Sequence, residues 1–165
     1  MTPSRLTQDA FTARFGPVYE ASPWVAEAVW PAAARGELDA QDALASAMRE
    51  AVDAAPRQAK LALIRAHPQL AVASSMAEAS VREQKGAGLD RCTPDELAAF
   101  QRLNATYLDR FGHPFIIAVA GLSRADILTA FAARLENDAE AEFATAIEQI
   151  HRIAGFRIAA LFQPG

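Results

Sequence analysis

The segment TPDELAAFQRLNATYLDRFG, residues 93–112, carries the clearest helix signal in the chain. It opens with Thr93-Pro94-Asp95-Glu96, a capping box in which proline takes the first helical position. Apolar residues then recur at helical spacing, and Gly112 follows as a stop signal; the apolar positions are Leu97, Phe100, Tyr107, Leu108 and Phe111. The segment therefore predicts a helix with an apolar face that ends at Gly112.

The rest of the chain is helical in character as well. Ala, Leu, Glu and Arg dominate, and no window shows the sustained alternation of a β-strand. We predict further helices at six places: Leu6 to Phe15; Pro23 up to Pro31; an Asp39 cap to about Val52; Pro56 to near His67; a Ser123 cap followed by inward Ile127, Leu128, Phe131 and Leu135; and Asn137-Asp138 to Leu161. The sequence predicts an all-α fold, a single-domain helical bundle of about seven to nine helices over residues 1–165.

Composition narrows the class of protein. Hydrophobic residues make up 52% of 165 residues and charged residues 22%, which is typical of a folded globule. The net charge of −4 with no basic cluster argues against nucleic-acid binding. The longest uncharged apolar run, residues 114–122, is too short to cross a bilayer. Because Cys92 is the single cysteine, no internal disulfide can form, and we expect a cytoplasmic protein.

Two short strings hold the side chains best suited to chemistry. His67-Pro68-Gln69-Leu70 places an imidazole at the end of a predicted helix, and Ser80, Glu83 and Gln84 add a hydroxyl, a carboxylate and an amide. A carboxylate bonded to one ring nitrogen fixes the tautomer and leaves the other nitrogen for proton transfer. The chain between the strings is long enough to bring them together. Without such a partner, His67 would be read as a helix C-terminal cap.

Polar residues on apolar faces admit two interpretations. Arg157 falls within the apolar stripe of the last helix. In the structural interpretation its guanidinium reaches solvent or pairs with a structural carboxylate. In the functional interpretation it binds a carboxylate or ureido-type ligand. Asn104 lies between Phe100 and Tyr107, and we expect it to satisfy backbone groups of a neighbouring loop.

The apolar loop Pro114-Phe115-Ile116-Ile117 follows Gly112-His113. It is either a core plug or a wall whose N–H groups bind ligand oxygens. We expect His113 to be structural or at a rim, and His151 to be an exposed helix residue.

Metal and nucleotide cofactors find no support in the sequence. Three histidines and one cysteine show no ligand spacing such as His-Glu-x-x-His or Cys-x-x-Cys. The chain has no glycine-rich loop after a strand and no nucleophile elbow for a serine triad.

Taken together, these strings resemble the 2-oxo-4-hydroxy-4-carboxy-5-ureidoimidazoline (OHCU) decarboxylase family of the urate-to-allantoin pathway. The resemblance covers most of the chain and rests on the joint order of its pieces: residues 15–20 with Ser22-Pro23-Trp24; Ala66 to Leu70; Ser80-x-x-Glu83-Gln84-x-x-Ala87-Gly88-Leu89; residues 103–117 in part; Arg134-Leu135-x-Asn137; Glu142; and residues 153–157.

The resemblance implies an all-helical enzyme with no cofactor or metal, often a homodimer, acting on a small ureido-imidazoline substrate. It assigns His67 as the catalytic histidine and Glu83 as its partner. It places Pro68, Ser80, Gln84, the backbone of Phe115, Ile116 and Ile117, and Arg157 at the substrate.

Two alternatives stay open. A relative with another ureido or hydantoin substrate is one, since His113 and Ala120 depart from the residues common in the family. The other is a non-catalytic helical interaction module whose buried polar residues are structural.

Overall fold

The computed structural model describes residues 2–72 and 78–163. Over these residues the chain forms eight α-helices, three short 3-10 helices and no strand, which confirms the predicted all-α fold. The helices are α1 (Gln8–Phe15), α2 (Trp24–Ala34), α3 (Gln41–Asp53), α4 (Arg57–Ala66), α5 (Glu78–Gly86), α6 (Pro94–Phe111), α7 (Arg124–Arg134) and α8 (Ala139–Phe162). The 3-10 helices are Pro3–Arg5, Gly16–Val18 and Leu89–Arg91.

The chain divides into two compact units. The first runs up to Ala66 and resumes at His151, and in it α2 packs against α1 and α3. Its aromatic core places the ring of Phe11 4.9 Å from Phe15 and 5.4 Å from Trp30 between ring centroids. That the whole chain is one domain stays a prediction.

The second unit comprises residues 67–150 and buries its own core. The core residues are Leu70, Leu89, Phe100, Tyr107, Phe115, Val119, Ile127 and Phe131. At its centre Phe115 stacks on Phe131, with ring centroids 3.8 Å apart and planes 8° apart. This core ties the loop at residues 114–119 to α6 and α7.

Helices α6 and α7 begin as the sequence predicted. Thr93 and Ser123 each form a capping box, with Glu96 and Asp126 as the reciprocal partners. Gly112 closes α6 in the left-handed region at φ 73°. Two of the apolar residues of α6 are exposed, Leu97 at 38% and Leu108 at 44%. Both lie at one edge of the buried stripe that Phe100, Asn104 and Tyr107 occupy.

Two helix boundaries in the first unit also differ from prediction. Helix α2 passes through Pro31 instead of stopping there, since buried residues on either side of the exposed proline, Val29 and Ala33, hold both halves to the core. Asp39 does not cap α3. Its carboxylate accepts hydrogen bonds from the Ser4 hydroxyl at 2.6 Å and the Ser4 N–H at 2.7 Å, and these bonds lower its pKa.

None of the helices in the described ranges combines the length and the hydropathy required to cross a membrane.

Candidate active site

His67 lies directly after α4 and begins the second unit. Helix α4 ends at Ala66, as expected from Pro68, which disfavours helical geometry in the residue before it. The histidine is only 7% exposed, so its imidazole is shielded from bulk water. A buried imidazole close to a carboxylate is the arrangement in which proton transfer can be controlled.

Two amide side chains hold the backbone that follows His67. Gln84 donates from Nε2 to the Gln69 carbonyl at 3.1 Å and accepts the Ala71 N–H at Oε1, also at 3.1 Å. Asn104 donates from Nδ2 to the Leu70 carbonyl at 2.9 Å, which confirms the structural role expected of it. The irregular segment therefore obtains from side chains the partners that a helix or strand would supply.

Helix α5 brings three candidate side chains to one part of the second unit. Ser80 and Gln84, four residues apart and so on one face, are buried, and Glu83 is half-buried. Since Gln84 bonds the backbone of Gln69 and Ala71, α5 runs beside the segment that begins at His67. The predicted meeting of the two strings is confirmed at Gln84, and the pairing of His67 with Glu83 stays a prediction.

The loop at residues 114–117 is largely buried, yet some of its backbone N–H groups donate no hydrogen bond within the described residues. Phe115 and Ile116 are 1% and 3% exposed. The Ile116 carbonyl accepts a hydrogen bond from Arg134 Nη1, and the next N–H, that of Ala118, donates to Gln149 Oε1 at 3.0 Å. Among residues 2–72 and 78–163, no hydrogen bond uses the N–H of Phe115, Ile116 or Ile117 as a donor. These N–H groups are the kind that a ligand or an ordered water satisfies.

A buried ionic network lies behind this loop. Glu142 has no exposed surface and accepts hydrogen bonds from Arg134, from Asn137 Nδ2 at 2.9 Å and from the Tyr107 hydroxyl. Arg134 Nη2 lies 2.9 Å from Glu142 Oε2, and its Nε bonds both carboxylate oxygens, at 3.2 and 3.1 Å. The guanidinium also lies over the Phe115 ring, 4.3 Å from its centroid.

The network shifts the ionisation of its members. Burial by itself would raise the pKa of Glu142, but hydrogen bonds from Arg134, Tyr107 and Asn137, with the charge of Arg134, outweigh it and leave the pKa lowered. Burial, followed by the hydrogen bond to Glu142, raises the pKa of Tyr107. Glu142 is therefore a carboxylate and Tyr107 a neutral donor over the physiological pH range.

Reasoning from residue patterns missed this network. Its signal was present, because Glu142 begins a series at four-residue spacing whose other members, Ala146, Ile150 and Ala154, are apolar. A carboxylate at the head of such a stripe is expected to be buried and paired.

Arg157 belongs to the first unit and has a carboxylate partner there. Its Nη1 lies 2.8 Å from Glu20 Oε2 and 3.3 Å from the carbonyls of Pro17 and Val18. The side chains of the pair are 9% and 4% exposed. This matches the structural interpretation of Arg157, pairing with a carboxylate, and its role at a substrate stays a prediction.

The other two histidines are both buried. The expectation that His151 is exposed was wrong: it is 7% exposed, its Nδ1 lies 2.8 Å from the Tyr19 hydroxyl and its Nε2 lies 2.8 Å from Asp53 Oδ1. The helical pattern did not predict the burial of His151, because its polar partners come from distant parts of the chain. His113 packs edge-on against Tyr107, and its Nδ1 lies 3.0 Å from the Pro114 carbonyl oxygen, in keeping with a structural role.

The structure thus places most of the predicted site residues within the second unit. These are His67, Pro68, Ser80, Glu83, Gln84 and residues 115–117, while Arg157 lies in the first unit. The hydrogen bonds of Gln84 join its helix to the His67 segment, and those of Arg134 and Gln149 fix the loop.

Comparison with known proteins gives a consistent family. The family described as OHCU decarboxylase matches residues 4–159. A 2-oxo-4-hydroxy-4-carboxy-5-ureidoimidazoline decarboxylase of Haloferax volcanii is 42% identical over 96% of this chain and 93% of its own length. The uric acid degradation bifunctional protein PucL of Bacillus subtilis is 40% identical over 94% of this chain, which spans 31% of that longer protein.

Solved structures agree with the sequence comparisons. A crystal structure of (S)-allantoin synthase aligns over 96% of this chain and 52% of that one, with 31% identity and a TM-score of 0.79. A crystal structure of OHCU decarboxylase in the presence of (S)-allantoin aligns over 74% of this chain and 81% of that one, with 25% identity and a TM-score of 0.65.

Proposed function

The chain belongs to the OHCU decarboxylase family, and from this premise we propose that it removes carbon dioxide from 2-oxo-4-hydroxy-4-carboxy-5-ureidoimidazoline in urate degradation. The product is (S)-allantoin. The structural observation that carries the proposal is the clamp formed by Gln84, which sets the helix bearing Ser80 and Glu83 beside the segment that begins with buried His67.

The substrate itself explains why no cofactor is required. Its carboxylate and hydroxyl share one ring carbon, which lies beside a carbon–nitrogen double bond. When the bond to the carboxylate breaks, carbon dioxide leaves and the electron pair moves into this neighbouring double bond. The task that cofactors perform as electron sinks in other decarboxylases is thus performed by the ring. The protein orients the carboxylate and delivers one proton to one face.

His67 is the proton-transfer group in this proposal. Glu83 orients its imidazole, so that His67 takes the hydroxyl proton as that carbon becomes a carbonyl, protonates the neighbouring ring carbon that bears the ureido group, or does both in turn. Protonation from one side only gives the (S) product, whereas protonation in free solution gives the racemate.

The remaining site residues bind the substrate. Ser80, Gln84 and the N–H groups of residues 115–117 hold ring and ureido oxygens, and Pro68 shapes the pocket beside His67. Arg157 anchors an anionic or carbonyl group. A guanidinium that bound the departing carboxylate more tightly in the ground state than in the transition state would oppose the reaction. Arg157 therefore binds another group of the substrate, or binds more tightly in the transition state.

Substitution of His67 tests the catalytic assignment. Freshly formed substrate is generated from urate with urate oxidase and the hydrolase that follows it, and its decay and the circular dichroism of allantoin are recorded. We expect His67→Asn to lower kcat/KM by about 10²–10⁴-fold, the usual contribution of a general acid–base group. Decay as fast as with the parent, with the same excess of (S)-allantoin, would remove His67 from the mechanism.

A matched pair on α5 tests the orienting carboxylate. Glu83→Gln should lower kcat, while Glu78→Gln on the same helix should not, because the Glu78 side chain is 87% exposed and faces Arg82. Equal rates for the two variants would contradict the role given to Glu83.

The proposal extends to the state of the protein in the cell. We place it in the cytoplasm as a homodimer, with a small ureido-imidazoline substrate and with neither nucleic acid nor membrane as a partner. The single cysteine supports the cytoplasmic location, the acidic balance argues against nucleic acid, and the homodimer is what the family resemblance implies.

A further inference from the structure

We propose that Arg134 is a positioning residue for this reaction, which orients the peptide between Ile116 and Ile117 so that the Ile117 N–H is presented to the substrate. The proposal rests on the proposed function, in which the N–H groups of this loop bind substrate oxygens. Arg134 itself touches neither the substrate nor the reacting atoms.

Peptide geometry gives the direction of the N–H. Arg134 Nη1 donates to the Ile116 carbonyl, and no peptide bond among the described residues is cis. In a planar trans peptide the carbonyl and the following N–H point in opposite directions. The hydrogen bond from Arg134 therefore turns the Ile117 N–H away from the guanidinium and its buried network.

Within the described part of the chain, this arrangement leaves the Ile117 N–H without a protein acceptor. No hydrogen bond among residues 2–72 and 78–163 uses it, although its neighbours in the loop, Ile116 and Ala118, are buried. The adjacent donor, the Ala118 N–H, is taken by Gln149 Oε1 at 3.0 Å. The loop is thus fixed on both sides of Ile117, at the carbonyl before it and at the N–H after it.

Arg134 is itself held with little freedom. Its side chain is 11% exposed and that of Glu142 is fully buried, with Nη2 and Oε2 2.9 Å apart. Glu142 is fixed in turn by Tyr107 and Asn137, and the Phe115 ring covers the guanidinium at 4.3 Å. A donor whose own partners are buried holds its orientation when the substrate develops negative charge, which is how backbone N–H groups stabilise oxyanions.

Charge alone would not reproduce this function. The planar guanidinium bonds the Glu142 carboxylate through Nε and Nη2 while Nη1 reaches Ile116 in another direction. An ammonium is a point charge on a flexible stem and does not hold two such partners in fixed directions.

The test compares two arginines that make similar contacts. Arg110 also donates to a backbone carbonyl, that of Asn137 at 3.1 Å, and lies 5.2 Å from the centroid of an aromatic ring, Phe111. Among the described residues, no hydrogen bond, ion pair or ring contact joins Arg110 to the loop at residues 115–117. We expect Arg134→Lys to lower kcat by about 10–100-fold with a smaller change in KM, and Arg110→Lys to leave kcat within about twofold. Both are assayed below the melting temperature of the variant.

A spectroscopic measurement reports on the Ile117 N–H directly. In ¹⁵N-labelled parent protein, (S)-allantoin should shift the Ile117 amide resonance downfield, as expected when an N–H gains an acceptor. The shift should be reduced in Arg134→Lys at saturating ligand and retained in Arg110→Lys. If the lysine variant does not fold, the measurement on the parent still decides, because an unmoved Ile117 resonance at saturation overturns the proposal.

The outcomes separate this inference from the function on which it rests. If the parent protein does not accelerate substrate decay, the proposed function fails. If the parent is active and Arg134→Lys keeps its kcat and the Ile117 shift, the positioning role of Arg134 fails and the function stands.

Discussion

Gln84 and Asn104 show, at the scale of single residues, how side-chain amides can replace missing backbone partners. Together they satisfy the carbonyls of Gln69 and Leu70 and the N–H of Ala71. The segment after His67 can therefore be non-helical and buried at the same time. The sequence pointed to Asn104 in this role through its position on an apolar face, whereas Gln84 was predicted only as a substrate ligand.

The lowered pKa of Glu142 makes stability depend on pH. The carboxyl has its ordinary value, near 4.5, in the unfolded chain and a lower one when folded, so the unfolded state takes up the proton first as pH falls. The contribution of Glu142 is fully present above the ordinary carboxyl pKa and is lost as pH falls through the lower folded value.

Replacing Glu142 should therefore flatten the acid side of the stability profile. We expect Glu142→Gln to destabilise the protein by about 3–5 kcal/mol at neutral pH, since it leaves Arg134 buried without its counter-charge. Urea unfolding from pH 7 to pH 3 should show a smaller loss for this variant than for the parent. Glu136→Gln, at an exposed position, is the control. Parallel profiles for Glu142→Gln and the parent would show that Glu142 is not the group responsible.

At the scale of elements, capping chemistry was the most reliable guide. The predicted capping box at Thr93 and the predicted cap at Ser123 both formed, because their signals lie within four consecutive residues and need no distant partner. Asp39 failed as a cap because Ser4, far away in sequence, supplies two better donors for its carboxylate. A local capping signal therefore predicts a helix start correctly only where no residue distant in sequence offers the capping side chain a better hydrogen bond.

Two glycines near the end of α5 provide a matched test. Gly88 has φ +78°, and a Cβ there would lie 2.9 Å from Arg124 Nη1, which donates to the Gly88 carbonyl at 3.0 Å. Gly86 is the last residue of α5, and a Cβ added there would lie in open space.

The two substitutions should change stability in opposite directions. Gly88→Ala is expected to cost about 1–2 kcal/mol from left-handed backbone strain, with a further loss if Arg124 is displaced. Gly86→Ala is expected to gain up to about 1 kcal/mol through helix propensity. Urea denaturation measures both. Equal free energies of unfolding for the two variants would contradict the assigned backbone conformations.

At the scale of the whole molecule, we expect a homodimer, as the family resemblance implies. The net charge of −4 is small, so self-repulsion opposes association only weakly. Sedimentation equilibrium at physiological salt should give twice the 17.7 kDa chain mass, with dissociation on dilution. A mass of one chain at every concentration from low micromolar upward would refute the dimer, and it would leave the catalytic proposal untouched.

The sequence by itself determined the helical class, the capping box at Thr93, the cap at Ser123, the family and the residues that the family places at a substrate. These follow from short-range patterns and from motifs whose order can be read along the sequence. Only the tertiary structure decided that Glu20 is the partner of Arg157, that His151 is buried between Tyr19 and Asp53, and that Arg134, itself fixed by Glu142, donates to the Ile116 carbonyl. Each of these pairs joins side chains brought together by folding, and the energy of a buried charge depends on which partner arrives.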